Sequence, residues 1–366
     1  MASKEDRTIR YAVVGAGNIA QVAVLPAFKH AKENSELVAL VSSDAEKRAE
    51  LSKMYDIEVQ GDYSEFEWVL ERARVDAVYI CTPNTEHREF AVRAAARGVH
   101  VLCEKPLATS AEECQVISEA CEKQGVKLMV AYRLHFEEAN LKALEIARSG
   151  ELGELKLFSS FFSHVVREDD IRRDPTLGGG ASYDLGVYCI NAARHLFDAE
   201  PIEVFASTIE KNGTDDTTTV LLKFPGERLA QFSISNSVAG VSTYRIAGTL
   251  GDLRLEPAFE YAEGNEHYLT LDGKTKHESF KKRDQFAPEL VYFSRCILED
   301  VDPEPSGEEG MCDLRVVDAI LGSARSGKPV ALAPYRRRRR PEPEQEIKKP
   351  AISKPKTVNA PGPGVR

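Results

Sequence analysis

The chain has 366 residues, 42% of them hydrophobic, and a formal charge of −10. That length suits two domains with ordinary buried cores. The charge is uneven: residues 336–366 hold ten Lys or Arg against three Glu, a local +7 that leaves −17 on residues 1–335. So acidic a body argues against a nucleic-acid-binding surface, though not against a local pocket for a small anion.

The first ten residues, Met1–Arg10, are charged and contain neither the apolar stretch of a signal peptide nor a twin-arginine signal. No apolar run is long enough to span a membrane, so a cytoplasmic protein is expected. Seven cysteines (Cys81, Cys103, Cys114, Cys121, Cys189, Cys296 and Cys312) form no C-x-x-C pair, and several sit in apolar runs. They read as buried free thiols in a reducing compartment. Neither they nor the eight histidines show metal-ligand spacing, so no metal is expected.

Arg10–Val14 reads as a buried strand broken by Gly15-Ala16-Gly17, with a helical pattern through Val22, Leu25 and Phe28. A second strand is predicted at Leu37–Val41, a helix at Ala45–Tyr55, and a short strand near Glu58-Val59. Helices at Ser64–Arg72 and around Glu86–Arg97 alternate with strands at Ala77–Cys81 and Val99–Cys103. Another helix and the strand Lys127–Ala131 complete the series. Apolar strands alternating with helices predict a doubly wound parallel sheet, because parallel strands need crossover connections. This is an α/β domain over residues 1–131.

Beyond it, strands are predicted at Leu155–His164, Ile202–Ile209, Thr217–Phe224, Leu229–Ser235, Thr243–Ala247 and Tyr268–Leu271. Turns at Asn212-Gly213, Pro225-Gly226 and Asp272-Gly273 indicate a largely antiparallel sheet. Helices at about 181–197, 285–299 and 311–325 are expected to cover one face of it. Residues 132–335 thus read as an α+β domain. From Arg336 to Arg366 the composition turns to arginine, proline and lysine, too poor in apolar residues to offset its ordering entropy, and a disordered tail is expected. Its arginine run is either a solvated segment or a docking site for nucleic acid, anionic lipid or an acidic partner.

Gly15-Ala16-Gly17-Asn18-Ile19-Ala20 fits G-x-G-x-x-A at a strand–helix junction. Gly15 permits the tight turn, and Gly17 lets the backbone approach a pyrophosphate. The backbone at Asn18 and Ile19 opens the helix that supplies N–H donors, and Ala20 packs it closely. The second strand ends at Ser42-Ser43, with Lys47 one turn on, where an NAD site usually carries a carboxylate. Hydroxyls and a cation suit a 2′-phosphate, while Asp44 reads as a helix N-cap. NADP is therefore the expected cofactor.

Thr82-Pro83-Asn84 lies at the carboxyl end of a strand, where open α/β sheets place ligands. His87 nearby reads as a first-turn helix residue beside the cofactor, with a catalytic role as the alternative. Glu104-Lys105-Pro106 ends the next strand, and the Lys105 ammonium can meet a hydroxyl and stabilise alkoxide charge. Gly178-Gly179-Gly180 leads into a segment where Asp184, Tyr188 and Asn191 recur at helical spacing, a candidate stripe for substrate. The glycines are expected to let backbone approach a bulky ligand.

Together with Cys81-Thr82-Pro83-Asn84 and Ala131-Tyr132-Arg133-Leu134-His135-Phe136, these motifs make residues 8–333 resemble the Gfo/Idh/MocA oxidoreductase family. Ser306–Met311 and Ser326–Val330 resemble its glucose–fructose oxidoreductase branch. The resemblance implies a Rossmann domain, an open-faced sheet that dimerises, and Lys105, Asp184 and Tyr188 as the catalytic set. It also implies a cofactor site that includes Glu104, Lys105 and Arg133, and a tyrosine at position 188 suits the sugar-oxidising branch. The implied chemistry is NADP-linked oxidation of an aldose at C1, with sugar-to-sugar exchange on a retained nucleotide as an extension. A free phenol is a poor base at neutral pH, and Lys105 is the cation expected to activate Tyr188. The alternatives are a trans-dihydrodiol or imine/biliverdin-type reductase, or a non-catalytic NADP-responsive binding protein.

Overall fold

The computed structural model describes residues 7–364, so the first six residues of the charged N-terminal stretch and the last two of the tail lie outside the described residues. Six strands, β1 (Ile9–Val14), β2 (Ser35–Val41), β3 (Val59–Gly61), β4 (Ala77–Ile80), β5 (His100–Glu104) and β6 (Leu128–Ala131), form one sheet in the order β3-β2-β1-β4-β5-β6. Every pairing is parallel. The order reverses between β1 and β4, and in such sheets the crevice beyond the strand ends at that point takes the ligand.

The second sheet has nine strands: β7 (Leu155–Ser163), β8 (Glu203–Lys211), β9 (Thr214–Phe224), β10 (Arg228–Ser235), β11 (Val241–Gly248), β12 (Gly251–Leu255), β13 (Asn265–Leu271), β14 (Lys274–Phe280) and β15 (Val330–Ala331). Only β7 and β10 pair in parallel; the other ladders are antiparallel. The fold class expected from the alternation is the one observed. β12, β14 and β15 are additional to the predicted strands. They are short, or polar like Lys274–Phe280, which is exposed at six of its seven positions and carries no buried-face pattern.

Along β9 buried and exposed residues alternate cleanly, which gives the sheet one covered and one open face. Helices Val187–Leu196 and Gly307–Ser326 pack on the covered face, against a core that includes Phe158, Val204, Leu222 and Ile234. The helix Ala287–Glu299 departs from expectation. Its Leu290, Val291 and Phe293 join Ile9, Tyr11 and Leu40 in a cluster against the first sheet, and Tyr11 Oη shares a hydrogen with Ser294 Oγ at 2.8 Å. All seven cysteines are free and buried, and no described helix is long and apolar enough to cross a membrane.

The tail departs most from the sequence reading. Residues 336–364 lie along the body rather than forming a disordered segment. The Arg337 side chain is fully buried between Glu304 (3.1 Å) and Glu309. Arg340 pairs with Asp198 at 2.7 Å and Glu200 at 3.1 Å. Ile347, Ile352 and Val358 then pack against the apolar cluster of the first sheet. The acidic partner that the arginine run suits is thus on the same chain. Composition misses this because the apolar surface comes from the body, and three well-spaced aliphatic residues suffice to dock.

Glu304, Glu309, Glu200 and Asp313 are buried in one network with Arg194, His135 and His195. Removing one cation from such a network leaves carboxylate charge uncompensated, which costs about 3 kcal/mol. Arg337→Ala is expected to lower stability by about that amount in urea unfolding, whereas exposed Arg338→Ala should stay within about 0.5 kcal/mol. Equal midpoints for the two variants would contradict the buried pairing.

Candidate functional site

A cleft of about 440 Å³ lies between the carboxyl ends of β1, β4 and β5 and the covered face of the second sheet. Gly17, Asn18, Ile19, Lys47, Lys105 and Tyr188 all line it. Gly15 has φ +98°, and a Cβ there would stand 2.7 Å from Cys81 O, so the turn requires glycine. A Cβ on Gly17 would meet nothing within 4 Å, so the backbone faces open space where a pyrophosphate fits. The helix after the turn starts with a π-helical segment, Ala20–Val24.

At the end of β2, Asp44 is the N-cap of helix Ala45–Tyr55 and accepts from Lys47 N at 3.0 Å. That backbone donor, with the Lys47 ammonium behind it, holds its carboxyl below the ordinary range. Ser42 is buried, Ser43 is exposed, and the Lys47 side chain faces the cleft. Arg48 turns away to Ser42 O and Asp62. Of this set only Lys47 lines the cleft and suits a 2′-phosphate; Ser42 is buried with its Oγ 3.4 Å from Asp44 N, and neither it nor Ser43, both expected at the cofactor, reaches the lining.

Thr82 and Asn84 line the next wall beside Pro83. Asn84 Nδ2 donates to Gly178 O at 2.8 Å, tying the two domains together. His87 is a brace rather than a reactant. Its ring nitrogens lie 2.9 Å from Pro106 O and 3.0 Å from Thr82 O, and burial pushes its pKa down. Glu104 is buried at the end of β5, where Tyr79 donates to it at 3.0 Å. Burial raises the Glu104 carboxyl, opposed by Lys105, and raises Glu289 on the far side of Tyr79 more strongly.

Lys105 Nζ donates across the cleft to Asp184 O at 2.8 Å and Asp184 Oδ1 at 3.2 Å. It also stands 4.6 Å from the centre of the Tyr188 ring. The donor on the phenol oxygen is instead Arg133, whose Nη2 lies 3.2 Å from Tyr188 Oη. Arg133 is buried, with Gln285 and Phe259 O as further acceptors. So Arg133, expected only at the cofactor, is also the cation on the phenol, and Lys105 acts through the ring face.

Asp184 lies in a π-helical turn, Ser182–Gly186, that runs into the helix Val187–Leu196. Besides Lys105, its carboxylate accepts from Arg172 Nε at 2.7 Å, and His164 Nε2 lies 3.6 Å away. Burial alone would raise its pKa, but the Arg172 and Lys105 cations hold it far below the usual carboxylate range. These two cations favour its ionised form. Burial lowers His164, with Asp184 opposing, so its ring is neutral near pH 7.

Two expectations need correction. Asn191 does not face the cleft: its amide donates to Glu309 (2.7 Å) and Asp313 (3.0 Å) and accepts from His135 at 2.9 Å. The wide π turn brings Asp184 onto the Tyr188 face, whereas Asn191 sits on the flank packed against Gly307–Ser326. The glycine run, in turn, makes room for protein as well as lining the cleft. A Cβ at Gly179 would stand 2.7 Å from Arg172 O, and one at Gly180 would strike Asp215. Gly179 thus lets the loop carrying Arg172 approach, while Gly178 packs on Asn84 and Thr109.

Sequence reasoning also missed Arg172, His164, Glu260 and Tyr261, all lining the cleft. The signal available for Arg172 was charge density, Arg167 to Asp174 holding seven charged residues ahead of the glycines. Nothing marked Glu260 and Tyr261, which follow β12 in an irregular loop. His135, His195 and Glu309 bring ligand atoms within 4.8 Å of one another, a grouping that spacing along the chain did not reveal. Its atoms are engaged in the Arg194, Arg337 and Asn191 network described above.

Comparison with known proteins agrees with this geometry. Residues 9–132 match an oxidoreductase family with an NAD-binding Rossmann fold, and residues 140–254 match the GFO/IDH/MocA C-terminal domain. The chain is 32% identical to a D-xylose 1-dehydrogenase [NADP(+)] of Haloarcula marismortui, over 89% of this chain and 94% of that protein. The crystal structure of an aldose-aldose oxidoreductase from Caulobacter crescentus is similar at TM-score 0.84 and 33% identity, over 89% of this chain and 100% of that one. A 3-ketoreductase from Actinomadura kijaniata, in complex with NADP and TDP-benzene, aligns at TM-score 0.80 and 26% identity, over 86% and 98%.

The position of Lys47 sets a test of nucleotide choice. A charge-assisted phosphate contact contributes about 1.5–3 kcal/mol, or about tenfold or more in affinity. Lys47→Glu is expected to weaken NADP by at least about that factor and to change NAD little, measured by titration calorimetry. Equal losses for both nucleotides would remove Lys47 from the phosphate site.

Proposed function

The chain belongs to the Gfo/Idh/MocA oxidoreductase family, and from that premise we propose that it is an NADP-dependent sugar oxidoreductase that oxidises an aldose at C1 to a lactone. The observation that carries this reading is the Tyr188 phenol, held between Arg133 and Lys105 in the cleft that begins at the glycine turn. NADP, when bound, supplies the nicotinamide that takes hydride from C1.

The side chains do the rest. As the C1–H electron pair leaves, the C1 hydroxyl proton passes to Tyr188 Oη and a C1 carbonyl forms. The phenolate that takes this proton is met by two cations, Arg133 on the oxygen and Lys105 over the ring. An ammonium has three donors, and Asp184 engages Lys105 through two acceptors, which leaves one for a sugar hydroxyl. Asp184 thus aims Lys105, and Arg172 fixes Asp184. In the reverse direction the same phenol returns the proton to a carbonyl.

Arg167, Asp169, Asp170, Arg172 and Glu260 line the cleft alongside Tyr188. Such a lining suits a hydroxyl-rich sugar better than an aromatic diol. An intact set of proton-handling groups likewise favours an enzyme over a binding protein that only senses nucleotide. Aldose-to-aldose or aldose-to-ketose exchange on one retained NADP is the finer form of the reading. The likeness to an aldose-aldose oxidoreductase supports it.

Tyr188→Phe is expected to lower turnover roughly 100-fold or more while leaving NADP affinity intact. Near-normal lactone formation by that variant, followed by mass spectrometry across an aldose panel, would remove the phenol from the reaction. The open face of the second sheet exposes Leu157, Phe205, Ile209, Leu221 and Leu229 on one side, a surface that suits a second copy of this chain. Ile209→Arg combined with Leu221→Arg should halve the mass in sedimentation velocity. An unchanged mass would place the dimer contact elsewhere or exclude it.

A further inference from the structure

The end of the chain does more than dock on the body. After Val358 it crosses the mouth of the cleft, from the glycine turn of the first domain to the segment after β7 in the second. Val358 N donates to Gln21 Oε1 at 2.7 Å, and Gln21 Nε2 donates back to Val358 O at 2.9 Å. Asn18 Nδ2 donates to Ala360 O at 2.9 Å. Asn359 Nδ2 reaches Glu46 at 3.0 Å, beside Lys47. On the far lip, Arg167 N donates to Pro363 O at 2.8 Å, and Gly364 bridges to Val166. Asn359, Ala360, Pro361 and Pro363 form part of the wall of the same cavity that holds Lys105 and Tyr188.

From this path we infer that residues 358–364 are part of the nucleotide site: a strap that closes the mouth of the cleft and makes NADP a slowly released, resident group. The inference rests on the NADP reading of the cleft. Three observations favour a wall over a competing occupant. The strap is held by the side chain of Asn18, and the backbone at Gly17 still faces open space. Residues 347–364 contain four lysines and no acid, so the segment does not repel phosphate. Pro361 and Pro363 restrict the backbone, which lowers the entropy lost on docking. With both lips joined by hydrogen bonds, release of the nucleotide requires the strap to lift, and such contacts act chiefly on the dissociation rate.

The same arrangement gives sugar-to-sugar exchange a structural basis. Were NADP retained there, it would supply hydride to a second sugar carbonyl after taking it from the first, and Tyr188 would return the proton.

The test compares the full chain with a form ending at Lys356 and with Val358→Pro, which removes one N–H donated to Gln21. Both variants keep Arg337, Arg340, Ile347 and Ile352, which anchor the earlier part of the tail. Each protein is loaded with NADPH, freed of excess and chased with NADP, and release is followed by nucleotide fluorescence. Release from the shortened form is expected to be about tenfold or more faster than from the full chain, with Val358→Pro in between. Equal release rates in all three would overturn the strap. So would slower release or tighter binding in the shortened form, which would make the segment a competitor. Failure of every form to bind NADPH would overturn the nucleotide reading, and the strap with it.

Discussion

Lys105 stands at the end of a strand in one domain and bonds to Asp184 in the other, and the geometry of the cleft depends on that contact. One ammonium meets a backbone carbonyl and a carboxylate, at 2.8 and 3.2 Å, while lying over the ring of Tyr188. Arg172 holds Asp184 from the other side at 2.7 Å, which keeps the carboxylate from swinging toward solvent. With Arg133 on the phenol oxygen, the site carries three fixed cations around one carboxylate and one phenol. Such a surplus of positive charge, fixed before any ligand arrives, suits an anionic oxygen without reorganisation.

A second polar network lies behind the helix that carries Tyr188, and the two are linked through that helix. Asn191, one turn after Tyr188, is pinned by His135, Glu309 and Asp313. Arg194, another turn on, is wholly buried against Glu309, Asp313 and Glu200. Arg337 and Arg340 of the tail complete the charge balance of the same group. Burial of so many charges is tolerated only when each has partners. The tail therefore stabilises the body at one end and bounds the nucleotide cleft at the other.

Much of the fold was legible because it rests on short-range patterns. Apolar strands separated by helical periods announced the parallel sheet, and β-turn pairs such as Asn212-Gly213 and Asp272-Gly273 marked hairpins; both pairs adopt positive φ. Lys105, Asp184 and Tyr188 were legible because motif residues at strand ends and on one helix face have few other reasons to be there. The polar strand β14 was not, since it buries almost nothing. Arg172 and Glu260 sit on irregular segments whose path depends on what they lie against.

The sequence by itself determined the two-domain architecture, the glycine turn that only Gly15 can make, the cation at Lys47 and the side chains Lys105, Asp184 and Tyr188 that meet in the cleft. These depend on backbone preference, hydrophobic period and side-chain chemistry, all local. Only the tertiary structure decided which cation meets the phenol oxygen, which way Asn191 points, and where the basic tail goes. Each is a matter of distance between residues far apart in the chain: 55 residues separate Arg133 from Tyr188, and 342 separate Asn18 from Ala360. Composition marked the tail as unable to fold alone, because it lacks apolar residues for a core of its own. It docks because the body supplies the buried carboxylates and apolar grooves that its few arginines and aliphatic side chains need.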